Sequence, residues 1–157
     1  MKEVAPKREK DFKVEHLLEQ YKLYVQMADN ISNRRSQANT FYISVLSGFL
    51  VLIPVIIQNG LVKSMFFLTG VGLLGTTLCL VWFVTLQQYR HLNSGKFKVI
   101  HDMEKELPFA CFDIEWKYLG EGKGKYKKLT RVEQLVPLIL SVPYISMLVY
   151  SIYKIIL

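Results

Sequence analysis

The chain has 157 residues, 51% of them hydrophobic, with 20 Lys and Arg against 13 Asp and Glu for a formal net charge of +7. All 13 acidic residues and 18 of the 20 basic ones lie in 1–38 or 87–133, so Lys63 and Lys154 are the only charges elsewhere. That segregation marks a membrane protein, because a charge at the bilayer centre costs several kcal/mol. The basicity is spread too thinly for a nucleic-acid partner, and attraction to anionic lipid headgroups accounts for it. Cys79 sits in an apolar run and Cys111 in a polar one, which excludes a disulfide framework and a paired metal spacing.

Residues 1–12 are charged and contain Pro6, and they are expected to form a disordered tail rather than a cleaved signal. Over 13–38, Val14, Leu17, Leu18, Tyr21, Tyr24, Val25, Ala28, Ile31 and Ser32 make one helical stripe opposite Glu15, Glu19, Lys22, Gln26 and Asp29. This is an amphipathic cytoplasmic helix. The mixed sign of its polar face favours packing on protein over lying flat on lipid.

A first membrane span covers 41–57, with Pro54 in its last turn, and Gln58, Asn59 and Gly60 follow as a tight turn. The second span covers 65–86. Beyond it, 87–133 reads as a cytoplasmic helical hairpin with a basic loop. Tyr89, Leu92, Lys96, Val99, Ile100, Met103 and Leu107 share one helical face, Pro108 stops the helix, and Phe109, Phe112, Trp116 and Leu119 begin a second, shorter one. Span two can run unbroken into this hairpin, with Gly95 as the weak point. Thr130 and Glu133 fit a capping box ahead of a third span over 135–157, which Pro137 and Pro143 are expected to kink. A re-entrant segment is its rival. Arg34, Arg35, Arg90, Lys96 and Lys98 flank the first two spans on one side, so the N-terminus and 87–133 are expected in the cytoplasm. The fold class is thus an all-α, multi-pass integral membrane protein.

Little chemistry is written in the sequence. His16, His91 and His101 are dispersed, and His101 with Asp102 and Glu104 reads as a solvated helix face rather than a cation site. The glycines of 120–125 lack the spacing of a phosphate-binding loop. Arg90, Asn93, Glu104 and Glu115 offer no activated nucleophile and no oriented base, so no catalytic, cofactor or metal residue is assigned. The spans say more. Ser44, Ser47 and Gly48 in the first, and Thr69, Gly70, Gly72, Gly75, Thr76 and Cys79 in the second, give small-residue stripes that let helices approach closely in lipid. One stripe serves the intrachain hairpin, and the surplus points to contact between copies of the chain.

The segment 89–116 carries a resemblance. Tyr89, Arg90, Leu92, Asn93, Lys96, Phe97, Val99, Ile100, Met103, Glu104, Leu107 and Pro108, followed by Phe112, Glu115 and Trp116, resemble the RipA-type octameric inner-membrane proteins of bacteria. The resemblance implies a homo-octamer in the bacterial cytoplasmic membrane, with a ring-and-collar form and a role in envelope or host-adaptation physiology, without catalytic activity or cofactor. The layout of a cytosolic helix feeding two spans is also similar to SLATT domains, proposed pore-forming effectors of bacterial defence. Two alternatives therefore stand beside the scaffold ring: a gated pore, and a subunit of a transporter or membrane enzyme with an unknown protein partner.

Overall fold

A computed structural model describes residues 4–60, 64–119 and 132–157, with side chains from residue 14 onward. It contains helices α1 (Val4–Gln58), α2 (Met65–Glu104), α3 (Cys111–Tyr118) and α4 (Leu135–Ile156), and among the described residues there is no strand. Three of them, α1, α2 and α4, contain stretches long and apolar enough to cross a membrane. The all-α membrane fold expected from charge segregation is the one observed.

The expected boundaries inside α1 are not. The tail over 1–12 is helical from Val4, and the amphipathic segment 13–38 joins the span 41–57 without a break. Pro6 falls in the first turn, where the amide it lacks has no helical acceptor. Between 13 and 47 there is neither Gly nor Pro, and the Thr40 hydroxyl donates to the Ser36 carbonyl (3.1 Å) across the former boundary. Nothing stops the helix until Gly60, whose left-handed φ of 67° ends it after Gln58. Asn59 supports that end by donating its side-chain amide to the Val55 carbonyl at 2.8 Å. α2 likewise runs through Gly95, where a side chain would meet open space, so the glycine marks neither a break nor a close approach.

The chain divides into two compact units: residues 1–34 with 89–128, and residues 35–88 with 129–157. α1 and α2 each contribute a segment to both. The second unit contains the apolar core, formed by Leu46, Cys79, Trp82, Leu86 and Tyr144 with Tyr42, Phe49 and Leu140 packed around them. Trp82 stacks on Tyr42 at 5.6 Å and donates its indole N–H to Asn39 Oδ1 at 2.9 Å, so the one polar atom of a buried indole is satisfied. α4 lies along α2 through three contacts in antiparallel sequence order. Thr69 donates to Ser151 Oγ (3.0 Å), Gly72 abuts Leu148, and Gly75 receives the Tyr144 ring.

Those contacts correct the reading of the small-residue stripe. Gly72 and Gly75 serve the fit of α2 to α4 rather than to span one, and Gly70 faces outward. Pro137 lies in the first turn of α4 and is buried, while Pro143 is carried inside the helix. The helix continues through it, so α4 is one continuous helix of 22 residues. Glu133, expected in a capping box, instead pairs with Arg35 Nε at 3.2 Å, both side chains being largely shielded. Thr130, its expected partner, and the loop 120–125 lie outside the described residues.

Candidate functional site

The first unit is built around Glu104. Its side chain is 2% exposed at the C-terminal end of α2, and three donors converge on it. The Tyr21 hydroxyl, from α1, donates to Oε1 at 3.0 Å. The backbone N–H of Phe112 donates to Oε1 at 2.8 Å and that of Asp113 to Oε2 at 3.1 Å. His101 Nδ1 stands 3.5 Å from Oε2, one turn back on α2.

The local sequence explains why a carboxylate sits there. Pro108 follows the end of α2, and α3 then starts at Cys111 behind Ala110, which supplies no capping side chain. The first amides of a helix need acceptors, and here a carboxylate from the preceding helix provides them, where the positive end of the α3 dipole also favours it. Such charge-assisted bonds are roughly twice as strong as neutral ones. The solvated face expected for His101, Asp102 and Glu104 is therefore corrected: Asp102 and its partner Lys105 are in water, while Glu104 turns inward. A buried carboxylate persists only because its lone pairs are engaged.

The same clasp acts on Tyr21. Burial and the hydrogen bond to Glu104 both push its hydroxyl well above the usual tyrosine range, so it remains a donor throughout the physiological range. A raised folded-state value means stability that is present below the ordinary pKa near 10 and lost as pH rises beyond it. The clasp should thus hold from neutral pH up to about 10 and weaken above it, and Tyr21→Phe should remove that alkaline component from a pH-stability curve.

Aromatic contacts complete the unit. Phe112 packs edge-on against Phe97 at 5.5 Å and lies 6.4 Å from Tyr21, while Lys96 places its ammonium 5.1 Å over the Tyr24 ring and 3.8 Å from Met27 Sδ. The N-terminal stripe thus meets α2 through Tyr21 and Tyr24 and buries Ala28 and Ile31, whereas Val14 and Leu18 stay exposed.

Along α2 the inner face is rotated from the one read off the sequence. Asn93, Lys96, Phe97, Ile100 and Glu104 point inward, while Leu92 and Val99 face out. The periodicity count favoured apolar residues, but three polar ones, Asn93, Lys96 and Glu104, occupy inner positions. Tyr89, Arg90, Met103 and Leu107 are half-buried, and Pro108, Phe109 and Glu115 are exposed. Phe109 precedes α3 and is not part of its stripe.

Trp116 is half-buried, and no residue of α3 is fully buried. Phe112 docks α3 through its contacts with Phe97 and Tyr21. We therefore expect Phe112→Ala to destabilise the first unit by roughly 2 kcal/mol, below the 3–5 of a fully buried aromatic. Protease resistance of that unit reads the effect.

The geometry gathers Glu104, Ile100, Lys96, Phe97 and Phe112 from the 89–116 segment and leaves Leu92 and Glu115 outside. Tyr21 was missed as a member of this cluster because it lies 83 residues away in sequence. The detectable signal was an uncapped helix start a few residues after a glutamate. Among the described residues no group of His, Cys, Asp and Glu is arranged to hold a metal. A sequence model of the octameric membrane protein family (8xMP) matches residues 18–153. No curated protein and no solved structure matches the chain.

Proposed function

The chain belongs to the octameric membrane protein family, and on that premise we propose that it builds a closed ring of eight copies in the bacterial cytoplasmic membrane. Each copy crosses three times, and the unit held by Glu104 contributes to a cytoplasmic collar. The ring acts as a scaffold in envelope physiology, with itself and membrane lipid as its contacts.

The carrying observation is how little apolar surface one chain covers for itself. Only 11%, 22% and 17% of the most apolar stretches of α1, α2 and α4 are buried. Close packing, not burial, drives helix association in lipid, and small outward residues permit it. Ser44 faces out, and a side chain added at Gly48 would meet nothing within 4 Å. A scaffold rather than a catalyst is supported by the clasp itself, since the buried Glu104 carboxylate is engaged in holding α3.

Orientation supplies the test. Reporter fusions after Lys10 and Gly124 should read cytoplasmic and a fusion after Leu157 periplasmic, as the positive residues flanking the spans require. A cytoplasmic signal at Leu157 would remove the third crossing. Reconstituted vesicles carrying the protein should show the ion leak of protein-free vesicles, and a protein-dependent leak would replace the scaffold with a pore.

A further inference from the structure

Two contacts of the second unit share one offset. Arg35 pairs with Glu133, and the Tyr144 hydroxyl donates to the Leu46 carbonyl at 2.5 Å; each pair is separated by 98 residues. α1 and α4 therefore run in the same direction, in register, over this stretch. Carried further along both helices, the offset sets Gly48 level with Ser146, and it pairs Val51 with Val149 and Val55 with Tyr153. The two rows occupy separate, outward surfaces. Val51, Val55, Val149 and Tyr153 are all exposed, and Gly48 has open space where a side chain would be.

The α4 row forms a shallow groove lined by Ile145, Ser146, Val149, Tyr150 and Tyr153. The hydroxyls of Ser146, Tyr150 and Tyr153 make no hydrogen bond with another described residue, while Thr69, Thr76, Ser141 and Ser151 all do. Ser146 is the twelfth of the 22 residues of α4, too deep for its short side chain to reach headgroups. A polar group at that depth is stabilised by a protein partner.

A ring closed by rotation about the membrane normal leaves every residue at its own depth. It also joins two different surfaces of neighbouring copies. We propose that the α4 groove receives the Gly48 face of α1 from the next copy of this chain, with Ser146 opposite Gly48. The fit repeats what the chain does internally, where Tyr144 seats against Gly75 and its hydroxyl reaches a backbone carbonyl of α1. This inference rests on the octameric ring and adds the surfaces that close it.

The test uses full-length protein in membranes with Cys111→Ser as background, Cys79 being buried. One population carries Gly48→Cys, a second, differently tagged, carries Ser146→Cys, and a third carries both. Native mass is measured on each before oxidation. Mild oxidation should link the two tags when the first two are co-expressed, give no dimer with either alone, and produce a ladder of linked copies with the double variant. Octamers without the mixed link, or homotypic Gly48→Cys dimers, overturn this pairing and leave the ring standing. Absence of octamers in the background protein overturns both.

Discussion

Glu104→Ala should release α3 from the first unit and lower that unit's stability by roughly 3–5 kcal/mol, since each hydrogen bond to a charged group contributes roughly 1.5–3 kcal/mol. The substitution leaves the Tyr21 hydroxyl and the Phe112 and Asp113 amides without an acceptor, each a desolvated donor worth roughly 1–3 kcal/mol. Glu104→Gln keeps the shape and one acceptor oxygen but turns an amide donor toward another donor, so it should fall between wild type and Ala. Hydrogen exchange at the start of α3 reads the effect directly. Protection at Phe112 and Asp113 should disappear in Glu104→Ala, with the second unit unchanged. Unaltered protection there would show that α3 is held by its aromatic face alone.

The second large effect concerns the glycines of α2. A side chain at Gly75 would overlap the Tyr144 ring, and one at Gly72 would come within 3.0 Å of the Leu148 backbone nitrogen, which cannot yield as a flexible side chain does. Gly75→Leu is therefore expected to expel Tyr144 from its buried site. The hydrogen bond to Leu46 and the packing against Trp82 and Cys79 go with it. Overpacking costs typically 1–3 kcal/mol, and the lost core contacts add to it. The folded monomer should be lost.

A Cβ at Gly48 has no neighbour within 4 Å, so Gly48→Leu should leave the monomer folded. In the proposed ring it separates neighbouring copies. Thermal unfolding in detergent distinguishes the pair: a large fall in midpoint for Gly75→Leu, and little change for Gly48→Leu alongside a lower native mass. A Gly48→Leu protein of wild-type mass would take span one out of the interface.

These contrasts show what a single sequence displays and what it hides. Apolar blocks and segregated charge make the three span helices legible, because lipid imposes a one-dimensional rule on composition. The resemblance read from the 89–116 segment points to the family that the match over 18–153 shows. The continuity of α1 was obscured by Arg34 and Arg35, which read as a boundary although nothing in their backbone chemistry interrupts a helix. The inward turn of Glu104 was obscured by its charge, which periodicity assigns to solvent until the uncapped start of α3 is noticed. Pairings such as Tyr144 with Gly75 and Tyr21 with Glu104 join residues far apart in sequence, and spacing within one helix carries no record of them. The small-residue stripe of α2 was visible, but not that its partner is α4.

The account stands on self-assembly in the membrane, and the native mass of the wild-type protein extracted in mild detergent tests it most directly. The predicted result is a single species of eight 18.3 kDa chains that persists on dilution. A monomer, or a dimer that grows no further with concentration, would contradict it.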